Sequence, residues 1–158
     1  MKNVVWILLA ASFTIAACNH DDKVSLINDQ AALPATFKFD TLGLKVMASF
    51  ANKKYGTMSV LYANGEGISN AIKGDKKHSA GEVRALVTWG QQDDPSWFGA
   101  RIPGSLKSVE LVKISTNTTG LITAYAKYSG KNLLAAPDTL GQEARIKYIL
   151  DQQPSIMP

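Results

Sequence analysis

The stretch Gly81–Ile114, GEVRALVTWGQQDDPSWFGARIPGSLKSVELVKI, carries the densest aromatic, proline and glycine punctuation of the chain. In it Val83, Ala85, Val87 and Trp89 alternate with Arg84, Leu86, Thr88 and Gly90, the period of two that a strand with one buried face requires. Leu86 makes the second face partly apolar as well. Gln91–Pro95 supplies a polar turn, because Asp side chains bond to nearby backbone and proline presets its own φ. Trp97–Ile102 reads as a short extended segment stopped by Pro103-Gly104, after which Leu106–Ile114 begins a third strand. The stretch therefore predicts a three-strand meander.

Outward from this centre the same patterns recur. Leu44, Val46, Ala48 and Phe50 alternate, so Leu42–Ala51 predicts a strand, Asn52–Gly56 turns the chain, and Thr57–Tyr62 returns as the second arm of a hairpin. Asn64 suits a helix N-cap, ahead of a short helix bearing Ile68, Ala71 and Ile72, with Lys73 at its end and Gly74 stopping it. Ser115–Gly120 is turn-like, and Leu121–Tyr128 forms a strand with Tyr125 and Lys127 on one face and Ala124, Ala126 and Tyr128 on the other. Pro137-Asp138 opens a last helix in which Leu140, Ala144, Tyr148 and Ile149 share an apolar side, and Pro154 ends it. The expected class is α+β: an antiparallel β-sheet of about five strands flanked by one short and one longer α-helix.

At 158 residues, with 46% hydrophobic and 19% charged side chains, the chain has the make-up of one globular domain with a real core. Lys2, the apolar run Val4–Ala17 and then Cys18 form a bacterial export signal. A run of about 14 residues is short for a spanning helix, which needs about 20. Thr14–Cys18 resembles a lipobox, in which small residues precede the cysteine that takes the lipid. Cys18 is the sole cysteine; once lipidated, it leaves no thiol for a disulfide, for thiolate catalysis or for zinc.

The implied organisation is a signal peptide over Met1–Ala17, a lipidated N-terminus and flexible tether over Cys18–Thr36, and a single domain over Phe37–Pro158. The tether starts polar at His20, Asp21 and Asp22, and Asn19–Leu33 is expected to bury no core. Its aspartates resemble the surface-export signals of Bacteroidetes lipoproteins. The expected location is the bacterial cell envelope, anchored in the outer membrane by the lipid on Cys18 and facing the periplasm or the cell surface. Removing the signal takes Lys2 and no acid, lowering the formal charge from +4 to about +3. Lys53-Lys54, Lys73 and Lys76-Lys77 read as a solvated face rather than a nucleic-acid patch, so no nucleic-acid partner is expected. Asn117-Thr118-Thr119 matches a glycosylation sequon, which in such a protein is most often chance.

Three pieces in order, Gly56–Asn64, Gly81–Trp89 and Pro103–Glu110, resemble the cytochrome P-460 and cytochrome c′-beta family, and the likeness spans roughly Leu42–Tyr128. The resemblance implies a small antiparallel sheet with flanking helices, exported, that in the family usually carries covalent c-type haem binding nitric oxide or oxidising hydroxylamine. Two departures bear on function. The family's Cys-x-x-Cys-His attachment motif is missing from the tail Asp151–Pro158, so no covalent haem can form. The position at which the family's enzymes carry a haem-linked lysine falls on Leu86, which cannot make that cross-link.

No catalytic set is visible: there is no nucleophile elbow, phosphate loop or Ser-His-Asp group, and Asp93, Asp94, Arg101 and Glu110 as a hydrolytic cluster are outweighed by the turn-forming role of adjacent aspartates. His78 is the one histidine of the expected domain, and it would ligate a non-covalent haem only against an opposing pocket; its setting, Asp75–Ser79, reads as a solvated loop. A zinc site lacks ligands, and Asp93-Asp94 lacks the acid spacing of a calcium loop. Trp89, Trp97, Phe98 and Arg101 are the ligand or interface candidates, since aromatics flanked by Gly and Pro line many pockets, with core packing an equal account of Trp89. The favoured function is a ligand- or partner-binding module without cofactor. The alternative is a redox or nitric-oxide-binding protein holding haem non-covalently.

Overall fold

A computed structural model describes residues 27–35, 37, 39–74, 77–136 and 141–155. The signal peptide, Cys18, Lys76, Pro137-Asp138 and Leu140 lie outside them. Six strands, β1 (Lys45–Asn52), β2 (Thr57–Ala63), β3 (Val83–Asp93), β4 (Arg101–Asn117), β5 (Gly120–Ser129) and β6 (Leu134–Ala135), form one antiparallel sheet in sequence order. Helix α1 (Gly65–Lys73) joins β2 to β3, and α2 (Gln142–Leu150) follows the sheet. The α+β class is as expected. The strand count is six, because β6 has two residues and no period to read. Both helices have nine described residues, and Gly141, at φ 82°, leaves helical geometry just before α2. Among the described residues no helix is long and apolar enough to cross a membrane.

The sheet is covered on both faces. On one, Met47, Ala48, Leu61, Ala63, Leu86 and Val112 pack with Ala71 of α1 and Ile149 of α2, and Ile68, Ile146 and Leu150 close over them. On the other, Val87, Trp89, Leu106 and Val109 lie beneath Ala31, Leu33, Phe37 and Phe39. This overturns the expectation that Asn19–Leu33 buries no core: the Ala31 carbonyl accepts the Trp89 indole N–H at 2.9 Å, and Asn28 Nδ2 donates to the Pro103 carbonyl at 2.6 Å. β3 is consequently buried on both sides, with Ala85 and Val87 fully enclosed on one face and Arg84 and Leu86 on the other.

Pro103-Gly104 does not stop a strand, and Ser115–Asn117 does not leave one; β4 runs unbroken for 17 residues. Arg101–Lys107 extends beyond the end of β5, so this part of β4 pairs with β3 alone, and its register shifts between Trp89 and Gln91. An edge and a bulge are where a strand tolerates proline. Gly104 is needed there because a Cβ on it would meet the Gly90 carbonyl at 3.1 Å.

In β1 the alternation of Leu44, Val46, Ala48 and Phe50 breaks at a bulge between Val46 and Ala48. One extra residue turns every preceding side chain to the other face, so Val46 is 63% exposed and Met47 is buried. The tail returns to this bulge, where the Ser155 N–H donates to the Met47 carbonyl at 2.9 Å. Two helix faces also differ from expectation. In α1, Ile72 points to solvent while Ile68 and Ala71 face the core; in α2, Ala144 and Tyr148 are exposed and Ile146, Ile149 and Leu150 are turned inward.

Candidate functional site

The helix-covered face changes character along its own strands. Neighbours in register run from Leu61 and Leu86 to Ser59 and Thr88, then to Thr57 and Gly90. Large apolar side chains seat the helices at one end, and small hydroxyl-bearing ones leave the floor open at the other. The result is a cleft of about 540 Å³ lined by Phe50, Tyr55, Ser59, Thr88, Arg145 and Tyr148, with Leu86 at its inner edge. Ser59 and Thr88 share a hydrogen bond at 3.0 Å, which fixes the floor. A cleft of this size falls within the range of small-molecule sites, about 300–1,000 Å³.

Arg145, in the first turn of α2, is held from below. Its Nε donates to Glu110 Oε1 at 3.2 Å and its Nη2 to Oε2 at 2.5 Å, while the Tyr125 hydroxyl donates to Oε1 at 2.9 Å. Glu110 is buried, so its charge requires these partners. The hydrogen bond to Glu110 holds the Arg145 guanidinium above its ordinary pKa, and burial opposes this more weakly. The guanidinium lies 4.9 Å from the centre of the Tyr148 ring and the Arg145 side chain is 39% exposed, which places a fixed cation at the wall of the cleft. Lys107 sits at the open end of the floor, where its Cε would be 3.2 Å from a Cβ on Gly90; the absent side chain lets it lie across the sheet.

The four residues expected to form one site are divided. Trp89 is 6% exposed and belongs to the core on the opposite face. Trp97, Phe98 and Arg101 stand at the β3–β4 turn, with Trp97 73% exposed, Phe98 wholly so, and Arg101 paired with Asp93 at 3.1 Å. The carboxylates weighed as a hydrolytic cluster have separate partners: Glu110 holds Arg145, Asp93 holds Arg101, and Asp94 accepts the Ser96 N–H.

His78 lies on a loop whose Lys77 and Ala80 are exposed, but its own side chain is only 26% exposed and is turned toward Glu82. Its Nδ1 lies 3.1 Å from Glu82 Oε2, and Glu82, itself buried, also accepts Asn70 Nδ2 at 2.9 Å and Arg84 Nε at 2.7 Å. Arg84 completes the group by donating to the carbonyls of Ile149, Leu150 and Gln152 at the end of α2 and of Gly67 in α1. The cavity beside His78 measures about 40 Å³ and shares no lining residue with the large cleft. That space suits a water molecule or two rather than a porphyrin. Among the described residues no three His, Cys, Asp or Glu side chains are grouped to hold a metal ion.

The cleft escaped the sequence reading because Arg145 and Tyr148 meet Ser59 and Thr88 only through tertiary packing. One signal was present: Arg84 and Glu110 occupy strand positions in phase with the buried Leu86 and Val112, and a charge in phase with apolar neighbours announces a buried partner. No family model and no curated protein matches the chain.

Proposed function

We propose that the protein is a cell-envelope lipoprotein, anchored through Cys18, whose folded part is a cytochrome P-460-like domain without covalent haem that works as a binding module for a small amphiphilic molecule. The observation that carries this reading is the cleft, which combines aromatic walls at Phe50, Tyr55 and Tyr148, a hydroxyl floor at Ser59 and Thr88, and the Arg145 cation. Such a lining takes an apolar or aromatic body and directs an anionic or polar end toward the guanidinium. In the resemblance to the cytochrome P-460 family, Leu86 replaces the haem-linked lysine; it lines this cleft, where it offers apolar contact and no nucleophile.

Anilinonaphthalene sulfonate, an anionic aromatic probe that brightens away from water, tests the site. Saturable one-to-one binding is expected, weakened at least about tenfold by Ser59→Phe, which fills the floor, and by Tyr148→Ala, which removes a wall. Wild-type affinity in both variants would refute the cleft as the site. The anchor is checked by metabolic labelling with a palmitate analogue: label is expected on the wild-type chain and absent from Cys18→Ala, and persistence of label in that variant would sink the assignment.

A further inference from the structure

The turn between β3 and β4 presents two adjacent large aromatics to solvent, Trp97 and Phe98. It is a braced turn. The Asp94 N–H donates to the Ala100 carbonyl at 3.0 Å, the Ala100 N–H to the Trp97 carbonyl at 3.1 Å, and the Ser96 N–H to Asp94 Oδ1 at 2.8 Å. Neither aromatic takes part in the clusters that hold the sheet, so folding does not account for them. Of the flanking charges, Arg101 pairs with Asp93 and Asp94 holds the Ser96 N–H, so the tip carries no excess of cations that would draw it to an anionic surface.

The chain also enters the domain beside this hairpin, since Asn28 is bonded to Pro103 in the same β4 segment. Cys18–Ile27 is ten residues long, a reach of at most about 35 Å. A lipid on Cys18 therefore keeps the base of the β3–β4 hairpin within that distance of the bilayer. Holding a weakly binding tip so close raises its effective concentration at the surface.

We infer that Trp97 and Phe98 dock into the headgroup region of the bilayer that holds the anchor, making a second attachment that sets the orientation of the domain. Tryptophan suits this place because its ring is apolar and its N–H still finds water or headgroup oxygen. The tip acts through apolar burial, so vesicle charge and salt have little influence on it. The inference rests on the lipid-anchored reading above and is independent of what the cleft binds.

The test uses mature protein reconstituted into phosphatidylethanolamine and phosphatidylglycerol vesicles that contain phosphatidylcholine brominated close to the headgroup. Brominated lipid is expected to quench a part of the tryptophan emission that disappears in Trp97→Phe, and Phe98→Ser is expected to lower that quenching at least about twofold. Both positions are exposed, so unchanged melting temperatures serve as the folding control. Equal quenching in wild type and Trp97→Phe overturns the proposal. So does a photo-crosslinker at position 98 that in intact cells joins envelope protein instead of lipid, which would make the tip a protein contact. Intact mass of the same sample reports acylation at Cys18. Acylated protein with unquenched Trp97 ends the tip proposal alone, whereas unmodified protein with quenched Trp97 ends the anchor and leaves the tip standing.

Discussion

Trp89 and Trp97 belong to one hairpin and meet opposite surroundings. Trp89 is enclosed by Val87, Leu106 and Val109, and its N–H satisfies the Ala31 carbonyl; Trp97 is mostly in water. Trp89→Ala is expected to cost about 3–5 kcal/mol in chemical denaturation, the sum of a lost aromatic and a residual cavity. Trp97→Ala should fall within about 0.5 kcal/mol, as exposed substitutions do. Equal large losses would contradict the burial difference. Tyr62 offers a test of pH dependence. Burial raises its phenol above the ordinary pKa of 10.0, so the folded chain holds that proton more tightly than the unfolded one. Stability from this source is complete below pH about 10 and is lost as pH rises through the folded value. Tyr62→Phe should flatten the fall in melting temperature above pH 10, and an identical alkaline decline in both proteins would count against it.

At the level of elements, the sheet and the two helices are joined by charge as well as by apolar contact. Arg84, buried in β3, donates to the last carbonyls of α2, groups that a helix end otherwise leaves without partners. Its Nη2 reaches Gly67 in α1, and Glu82 balances its charge. Arg84→Met is expected to destabilise by about 3–5 kcal/mol, because it strands a buried carboxylate. Adding Glu82→Gln should recover part of that loss, a coupling that a double-mutant cycle reads directly; strict additivity would show that the pair acts independently. Asn64 has a similar joining role at lower cost. Its Oδ1 accepts the N–H groups of Gly67 and Val83, and its Nδ2 donates to the Gly81 carbonyl. One residue thereby starts α1 and fixes the entry to β3.

At the level of the whole molecule, the second face of the sheet depends on the segment before β1. Ala31, Leu33, Phe37 and Phe39 cover Val87, Trp89, Leu106 and Val109, and the Phe39 ring centre lies 4.6 Å from that of Tyr62, the rings tilted by 43°. A chain that starts at Phe37 loses Ala31 and Leu33 and uncovers Trp89. It should unfold at lower denaturant concentration and let acrylamide quench Trp89 several-fold more readily. Unchanged quenching would mean that the segment is not needed to close this face. The arrangement also gives the two sides of the sheet separate roles: one is sealed by the entering chain, and the other keeps an open floor beyond its helices.

The sequence by itself determined the local geometry. Strands β2, β3 and β5, the Asn64 cap and the Gly74 stop all appear where residue chemistry places them, because each depends on neighbours within a few positions. Tertiary structure decided what those patterns serve. The Val46 bulge, the passage of β4 through Pro103, and the turning of α2 onto Ile146 and Leu150 depend on partners far along the chain. So does the cleft, in which Arg145 and Tyr148 meet Ser59 and Thr88 across a gap of more than fifty residues. A strand period tells which side chains share a face. Only packing tells which faces are covered, and the candidate site is the part of one face that the helices leave open.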